Sequence, residues 1–264
     1  MKKMITVLGA AMLMLAGCGG SNGAADDGSK VLKVVTVAPY EPYEMVSDTT
    51  GELEGFDIDL ANALADKLGY TLEWQNLEFD AALLAVQQGK ADFAIAGLSP
   101  TPTRKEVMDF SEIYYQDSAE TVNTVVCLKE DNLKSIDDLK GLKAGVQNGT
   151  IQQETVESIM DEYDLTVDTR KEYADIVQEI LNGKIDFMVC EQSMADNYTT
   201  AYDELTSFPL GVGEDSAGNA IAFQKGSELK AEFDKEILAM KESGELQDLI
   251  DKWFEKQEER CGYI

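Results

Sequence analysis

Histidine is missing altogether from this 264-residue sequence. Its absence excludes catalytic triads built on histidine, His-ligated metal sites and a histidine titration near neutral pH. Basic residues are scarce as well: 22 Lys and Arg stand against 50 Asp and Glu, a formal net charge of −28. Because so acidic a chain is repelled by phosphate backbones, we expect no nucleic-acid partner.

Cysteine is also rare, with four residues in the whole chain. Cys18, Cys127, Cys190 and Cys261 are too few and too widely spaced for a disulfide framework. We expect Cys127 and Cys190 to be buried free thiols, and one bridge remains an open alternative. With no histidine and no close cysteine pair, the sequence predicts no metal site and no cofactor.

The one long apolar run lies at the N-terminus. Residues 4–16 follow two lysines and are too short to span a bilayer, so residues 1–18 are typical of a secretory signal. The ending Leu-Ala-Gly-Cys, residues 15–18, resembles a bacterial lipobox, which implies that Cys18 carries a lipid. The alternative is an ordinary signal with an incidental cysteine. The polar residues 19–30 predict a flexible tether, so we expect a protein anchored at the extracellular face of the cell membrane.

An internal repeat organises the remaining chain. Residues 87–97 and 181–191 both contain Gly-Lys-x-Asp-Phe followed by an apolar run typical of a strand. An amphipathic helical pattern precedes each copy, at 79–88 and at 173–182. The sequence therefore predicts two copies of one helix–strand unit.

The repeat extends upstream of these helices. A β-rich run at 32–37 leads to an amphipathic helix at 57–68, and its counterpart at 142–146 leads to a helix that begins near Gln152. Alternating strands and helices predict an α/β fold with a parallel sheet in each half.

Two such units predict two lobes. We assign residues 31–122 and 218–264 to lobe 1 and residues 123–217 to lobe 2. The chain then crosses between the lobes twice, near 122–127 and 212–220, which is a two-segment hinge. Two independent domains without a common site are the alternative.

The most informative segment is 91–104. Its apolar run ends at Gly97, and Ser99 and Arg104 follow, so backbone N–H groups, a hydroxyl and a guanidinium gather at the end of a strand. In α/β sheets ligands bind at that edge, and a guanidinium matches a carboxylate. Glu191 ends the matching strand of the other unit, so both ends would line a shared cleft. A surface loop with a solvated arginine is the alternative.

Several segments resemble one family. They are residues 55–61, 99–104, 109–115, 138–142, 147–150, 225–227 and 252–254. They are similar to the polar-amino-acid group of extracellular solute-binding proteins, which deliver ligands to ABC importers. The resemblance spans residues 31–257. It implies a two-lobe, periplasmic-binding-protein-like (type II) fold, an amino-acid ligand, an ABC permease as partner, a monomer, and no enzymatic activity.

The resemblance also implies a ligand-binding role for ten residues. They are Tyr40, Phe79, Gly97, Leu98, Ser99, Arg104, Gln147, Thr150, Ile151 and Glu191.

Four of these residues would hold the ligand α-carboxylate. By resemblance, Arg104 binds it bidentately, Ser99 and Thr150 add hydroxyl groups, and the N–H of Ile151 adds a helix N-terminus. An ion pair of Arg104 with Glu106 or Asp109 is the structural alternative.

The other implied roles concern the rest of the ligand. Glu191 and the carbonyl of Gly97 would bind the α-ammonium group, while Tyr40 and Phe79 would enclose the side chain. Plain packing is the alternative for both aromatic residues.

Two departures from the family bear on the ligand. Val37 replaces an acid or amide of relatives that bind basic or amide side chains, and Ile151 replaces a Thr or Ser. We therefore expect an uncharged or partly apolar amino acid rather than strictly lysine or arginine. An enzyme using Glu191 as its acid or base, and a sensory lipoprotein, are the rival functions.

Overall fold

Two five-stranded sheets form the framework of the computed structural model, which describes residues 30–116, 122–213 and 218–255. The signal and lipobox, the tether before Lys30, Cys261 and residues 214–217 of the second predicted crossover lie outside the described residues. Within the described ranges, no helix has the length and apolar character needed to cross a membrane.

The first sheet belongs to lobe 1. Its strands are β1 (Lys30–Thr36), β4 (Tyr70–Asn76), β5 (Phe93–Ala94), β6 (Met108–Phe110) and β12 (Ala222–Gln224). They lie in the order β4-β1-β5-β12-β6. A small hairpin of β2 (Met45–Val46) and β3 (Leu53–Glu54) stands beside this sheet.

The second sheet belongs to lobe 2. Its strands are β7 (Asn123–Leu128), β8 (Lys143–Gln147), β9 (Thr166–Arg170), β10 (Phe187–Glu191) and β11 (Leu205–Pro209). They lie in the order β11-β7-β10-β8-β9. Read from the opposite edge, the order is β9-β8-β10-β7-β11, so β8, β10 and β7 take the places that β1, β5 and β12 have in the first sheet.

Both sheets are mixed, which corrects the expectation of parallel sheets. β1 runs parallel to β4 and β5, and β8 runs parallel to β9 and β10. However, β12 and β7 run antiparallel to both of their neighbours. β12 follows the second predicted crossover, whereas β7 begins inside the first one, at Asn123. Both strands enter their sheets from the other lobe rather than through a helix of their own.

Helices cover both sheets. Those of lobe 1 are α1 (Phe56–Leu68), α2 (Phe79–Gln87), α3 (Pro102–Val107), α7 (Leu229–Ser243) and α8 (Glu245–Ile250). Those of lobe 2 are α4 (Ile151–Tyr163), α5 (Tyr173–Leu181) and α6 (Gln192–Ala201). Short 3-10 turns lie at Lys129–Asp131 and Ile136–Leu139, and a π-helical turn at Asp251–Glu255. The predicted helices therefore stand within a few residues of their expected bounds.

The repeated Gly-Lys-x-Asp-Phe motif has the same structural role in both lobes. Asp92 accepts a hydrogen bond from the backbone N–H of Lys33 at 2.8 Å, and Asp186 accepts one from that of Lys143 at 2.7 Å. Each aspartate thus ties the start of its own strand to the neighbouring strand. The phenylalanine that follows is fully buried in each copy.

The two described cysteines are free and buried. Cys127 packs with Phe187 and Val189 on one face of the second sheet, while Cys190 packs with Val126 on the other face. Opposite faces rule out the bridge that the sequence left open. Burial raises the pKa of the Cys127 thiol to about 11, and that of Cys190 as well, so both are unreactive packing residues.

Candidate ligand-binding cleft

A cleft lies between the two lobes and contains about 650 Å³ of empty space, including a part open to solvent. Nine of the ten predicted site residues line it. The residues after β1 and β5 reach it from lobe 1, and the ends of β8 and β10 reach it from lobe 2. The cleft thus collects the carboxyl ends of parallel strands from both sheets, where α/β folds bind ligands.

Arg104 is the cation of the cleft wall and is only 7% exposed. Helix α3 positions it, since Thr101 caps that helix and accepts the Arg104 backbone N–H at 3.2 Å. Its Nη1 donates to the carbonyl of Ser99 at 2.9 Å, and its Nη2 donates across the cleft to that of Gly149 at 3.2 Å. The guanidinium carbon lies 5.2 Å from the ring centroid of Phe79. One side chain therefore joins both lobes beside an aromatic face.

The structural alternative for Arg104 is not observed. Among the described residues Arg104 forms no ion pair with Glu106, which is exposed, or with Asp109, which instead pairs with Lys225 at 2.9 Å. Burial lowers the pKa of Arg104, and the negative charges of Glu154 and Glu191 oppose that change. The guanidinium remains charged in the cleft, because the pKa of an arginine lies far above neutral pH.

The N-terminus of α4 faces the cleft from lobe 2. Thr150 caps this helix: its hydroxyl accepts the backbone N–H of Gln153 at 3.2 Å and donates to the carbonyl of Gln147 at 2.8 Å. Ile151 and Gln152 follow in the first turn, where backbone N–H groups have no partner within the helix. The helix dipole adds partial positive charge, so this end can hold an anionic group.

Glu191 lies at the end of β10, opposite lobe 1. The hydroxyl of Tyr40 donates a hydrogen bond to it, which links the two lobes. Burial raises the pKa of Glu191, while the Tyr40 hydrogen bond, the charge of Arg104 and the nearby Gln152 amide lower it. The Nε2 of Gln152 is itself buried without a hydrogen bond of ordinary geometry to a described residue.

Gly97 makes the close approach of Tyr40 possible. Its φ of +56° is a left-handed conformation, and a Cβ atom there would lie 2.9 Å from Cε1 of Tyr40. Its N–H donates to Asp57 at 2.7 Å, which fixes the turn that follows β5. Glycine is therefore needed both for the backbone conformation and for the space.

Leu98 is the predicted site residue that does not line the cleft. Its side chain is 2% exposed and packs in the core of lobe 1, and its carbonyl accepts the N–H of Ala220 at 2.9 Å. Side chains alternate along an extended segment, so Gly97 and Ser99 face the cleft while Leu98 points away. The prediction for the Leu98 side chain is corrected accordingly.

Four titratable residues of the cleft wall escaped the sequence analysis: Glu44, Glu172, Tyr173 and Tyr198. Glu44 is fully buried, and neither of its carboxylate oxygens makes a hydrogen bond of ordinary geometry to a described residue. The available signal was an acid inside the proline- and tyrosine-rich loop 40–44. Val37 lines the same cleft.

Further contacts join the lobes at the rim, outside the cleft. Lys171 of lobe 2 donates to both carboxylate oxygens of Glu78, at 2.6 and 2.7 Å. Asn148 donates to Asp80 at 2.6 Å. We call these four residues the rim contacts. The lobes therefore stand closed on one another.

Comparison with known sequences decides the family. Residues 32–256 match the bacterial extracellular solute-binding proteins, family 3. The chain belongs to this family. The resemblance inferred from the sequence is thereby confirmed, and this member of the family is an amino-acid-binding extracellular protein of ABC transporters.

The chain is similar to two curated proteins with assigned names. The arginine-binding extracellular protein ArtP of Bacillus subtilis (strain 168) is 38% identical over 258 residues, which cover 96% of this chain and 98% of ArtP. A probable histidine-binding protein of Campylobacter jejuni is 32% identical over 263 residues, 96% of this chain and 99% of the relative.

A solved structure of the family confirms the fold. An ancestral arginine-binding protein bound to arginine superposes with a TM-score of 0.76 at 33% identity, covering 85% of this chain and 98% of the other. The predicted two-lobe, periplasmic-binding-protein-like α/β fold is therefore correct.

Proposed function

We propose that this protein binds a cationic amino acid, arginine or a close analogue, in the cleft and delivers it to an ABC permease as a monomer without a cofactor. The observation that carries the ligand class is Glu44, a fully buried residue of the cleft wall whose carboxylate oxygens make no hydrogen bond of ordinary geometry to a described residue. Glu172 and Glu191 line the same cleft, so its acids outnumber Arg104. This proposal revises the expectation of an uncharged ligand that Val37 and Ile151 suggested.

The α-carboxylate of the ligand binds at Arg104 in this proposal. The guanidinium uses one donor toward Ser99 and one toward Gly149, which leaves three of its five N–H groups for the ligand. Thr150 and the N–H of Ile151 approach from lobe 2, where the α4 dipole adds to the attraction.

The α-ammonium group binds at Glu191, with the carbonyl of Gly97 as a second acceptor. The aliphatic part of the side chain then lies between Tyr40 and Phe79, whose rings cover apolar surface. Gln147 supports this wall, since its amide already donates to the carbonyl of Lys171 at 2.9 Å. The distal cation of the side chain reaches Glu44.

The relatives support this choice of ligand. ArtP is named as an arginine-binding protein, and the structure of the ancestral protein is that of the arginine-bound form. The contacts of the proposal come from both lobes, so ligand binding favours the closed form through its differential contacts. A micromolar ligand requires about 8 kcal/mol in total, and one charge-assisted hydrogen bond supplies about 1.5–3 kcal/mol, so several contacts must act together.

Isothermal titration of the purified protein with each of the twenty amino acids tests the proposal. We expect arginine to bind most tightly, lysine or histidine more weakly, and neutral amino acids least. The melting temperature should rise with the concentration of the same ligand. Tight binding of an apolar amino acid with no binding of arginine would overturn the ligand class, and turnover of a bound ligand would favour the enzyme alternative.

We also propose that a lipid on Cys18 anchors the protein at the extracellular face of the cell membrane. The proposal rests on residues 15–18, which resemble a lipobox. Cys18→Ala should move the protein from the membrane fraction to the medium, whereas Cys261→Ala, the matched control, should leave it membrane-bound. Continued anchoring of the Cys18→Ala variant would contradict the lipobox interpretation.

A further inference from the structure

Two acidic residues, Glu44 on the cleft wall and Asp57 behind it, are buried at the lobe 1 side of the cleft. Neither residue has exposed surface, and the backbone N–H of Asp57 donates to the carbonyl of Tyr43, the residue before Glu44, at 2.9 Å. The charge of Asp57 raises the pKa of Glu44. Among the described residues no lysine or arginine forms an ion pair with either one. Arg104, the cation of the cleft wall, donates to the carbonyls of Ser99 and Gly149 instead.

Two neighbouring buried carboxylates without a cation can both remain ionised only at a large cost in free energy. Removal of a charge from water is strongly unfavourable unless the charge is paired, and a second like charge nearby adds to the penalty. Such a pair therefore either retains a proton or acquires a cation from outside. Because no described lysine or arginine forms an ion pair with either acid, a retained proton is the favoured state of the ligand-free protein.

The hydrogen bonds indicate which residue holds the proton. Asp57 accepts the N–H of Gly97 at 2.7 Å and the hydroxyl of Tyr114 at 2.8 Å, and both bonds favour its ionised form. Even so, burial raises the pKa of Asp57 to about 7. Glu44 has no comparable pair of donors among the described residues. Burial and the charge of Asp57 raise the pKa of Glu44 well above its usual range, and the interaction with the Val37 backbone, which lowers that pKa, does not compensate. The proton therefore resides on Glu44.

The other titratable groups around the pair do not change this balance. Those that face it are Tyr40 from the same loop and Tyr114 from the segment after β6. Burial and the neighbouring acids raise the pKa of both tyrosines, so both stay neutral hydrogen-bond donors at physiological pH. From lobe 2, Glu191 approaches Tyr40 and adds further negative charge.

We propose that Glu44 and Asp57 form a proton–cation exchange site, in which the empty cleft holds one proton and a bound cationic side chain replaces it. This inference rests on the proposed function, because it assigns the same cleft a cationic ligand. A neutral side chain of the same shape leaves the proton in place, and the protonated Glu44 then acts as a hydrogen-bond donor. The cleft accordingly admits both classes of side chain and discriminates between them by pH.

The sign of the pH dependence follows from the exchange. Below the pKa of the pair a cation must displace a proton, so affinity for a cationic ligand rises by about tenfold per pH unit for one proton released. Above that pKa the pair is already ionised and the affinity becomes constant. A neutral ligand displaces no proton, so its affinity stays constant or declines as pH rises.

Isothermal titration with arginine and with citrulline, its neutral isostere, tests the inference. Each ligand is titrated from about pH 5.5 to about pH 8.5 in two buffers with different ionisation enthalpies, since their difference in heat counts protons released. We expect arginine to release about one proton at the acid end and citrulline to release none. Glu44→Gln should abolish the proton release and lower the affinity for arginine by more than tenfold, while citrulline still binds.

Control variants separate this exchange from general effects. Glu232→Gln removes an exposed acid of α7 that contacts Tyr70, and it should leave proton release unchanged. Glu44→Asp retains a titratable group and should retain release. If Glu44→Gln does not fold, the wild-type buffer comparison alone decides.

Two outcomes would overturn the inference, and they are distinguishable. Tight, pH-independent binding of arginine without proton release refutes the exchange site but leaves the proposed function intact. Failure of every cationic amino acid to bind refutes both.

Discussion

The substitution Arg104→Lys tests the carboxylate-binding role most directly. It retains the positive charge and removes the planar fork that donates from separate nitrogens to Ser99 at 2.9 Å and Gly149 at 3.2 Å. A lysine ammonium carries its three N–H donors on one nitrogen, so it cannot keep both carbonyl contacts and also bind a carboxylate bidentately. At least one charge-assisted hydrogen bond to the ligand should therefore be lost.

The expected magnitude follows from that loss. One charge-assisted hydrogen bond contributes about 1.5–3 kcal/mol, which corresponds to about 10- to 150-fold weaker binding. Isothermal titration with the best ligand of the wild type measures the change, and the melting temperature shows that the variant is folded.

A matched control uses the other described arginine. Arg170 lies on β9 and pairs with Glu179 at 2.7 Å, away from the cleft, so Arg170→Lys should bind ligand like the wild type. If folded Arg104→Lys binds within about threefold of the wild type, the guanidinium fork does not hold the carboxylate and the reasoning is refuted.

The remaining predictions concern the second lobe and the rim. Glu191→Gln should weaken amino-acid binding at least tenfold, about 1.4 kcal/mol, because it removes the charge proposed to bind the α-ammonium; unchanged titration isotherms would contradict that role. Lys171→Glu should weaken the binding of every ligand by about two- to tenfold, since it replaces an exposed attraction between the lobes with repulsion from Glu78. Adding Glu78→Lys should restore the affinity, and a loss confined to one ligand would show that the rim contacts act on the ligand instead.

Local patterns in the sequence predicted much of the fold. Helices such as α2 and α5 carry their apolar residues at helical spacing, and the repeated aspartates Asp92 and Asp186 mark equivalent strands. These signals act within a few residues, so they can be read without the tertiary structure. The direction of β7 and β12 could not be read in this way, because it depends on where the chain crosses between lobes.

The candidate site was predictable to a similar degree. Arg104 and Glu191 follow apolar strands, and their position in the cleft agrees with that pattern. Glu44 was missed because its importance comes from burial next to Asp57, which no local pattern records. The contact of Tyr40 with Glu191 joins residues 151 positions apart and also depends on the relation of the lobes.

The position of β12 has a consequence for synthesis of the chain on the ribosome. Among the described strands of the first sheet, β6 pairs only with β12, and β12 separates β6 from β5. Lobe 1 therefore remains incomplete, with β6 lacking its neighbour, until residue 224 has been translated. The strands of lobe 2 end at Pro209, so the second lobe can finish its sheet first. The lobe that begins the chain is thus the last to be completed, which reverses the usual N-terminal-first order of folding during translation.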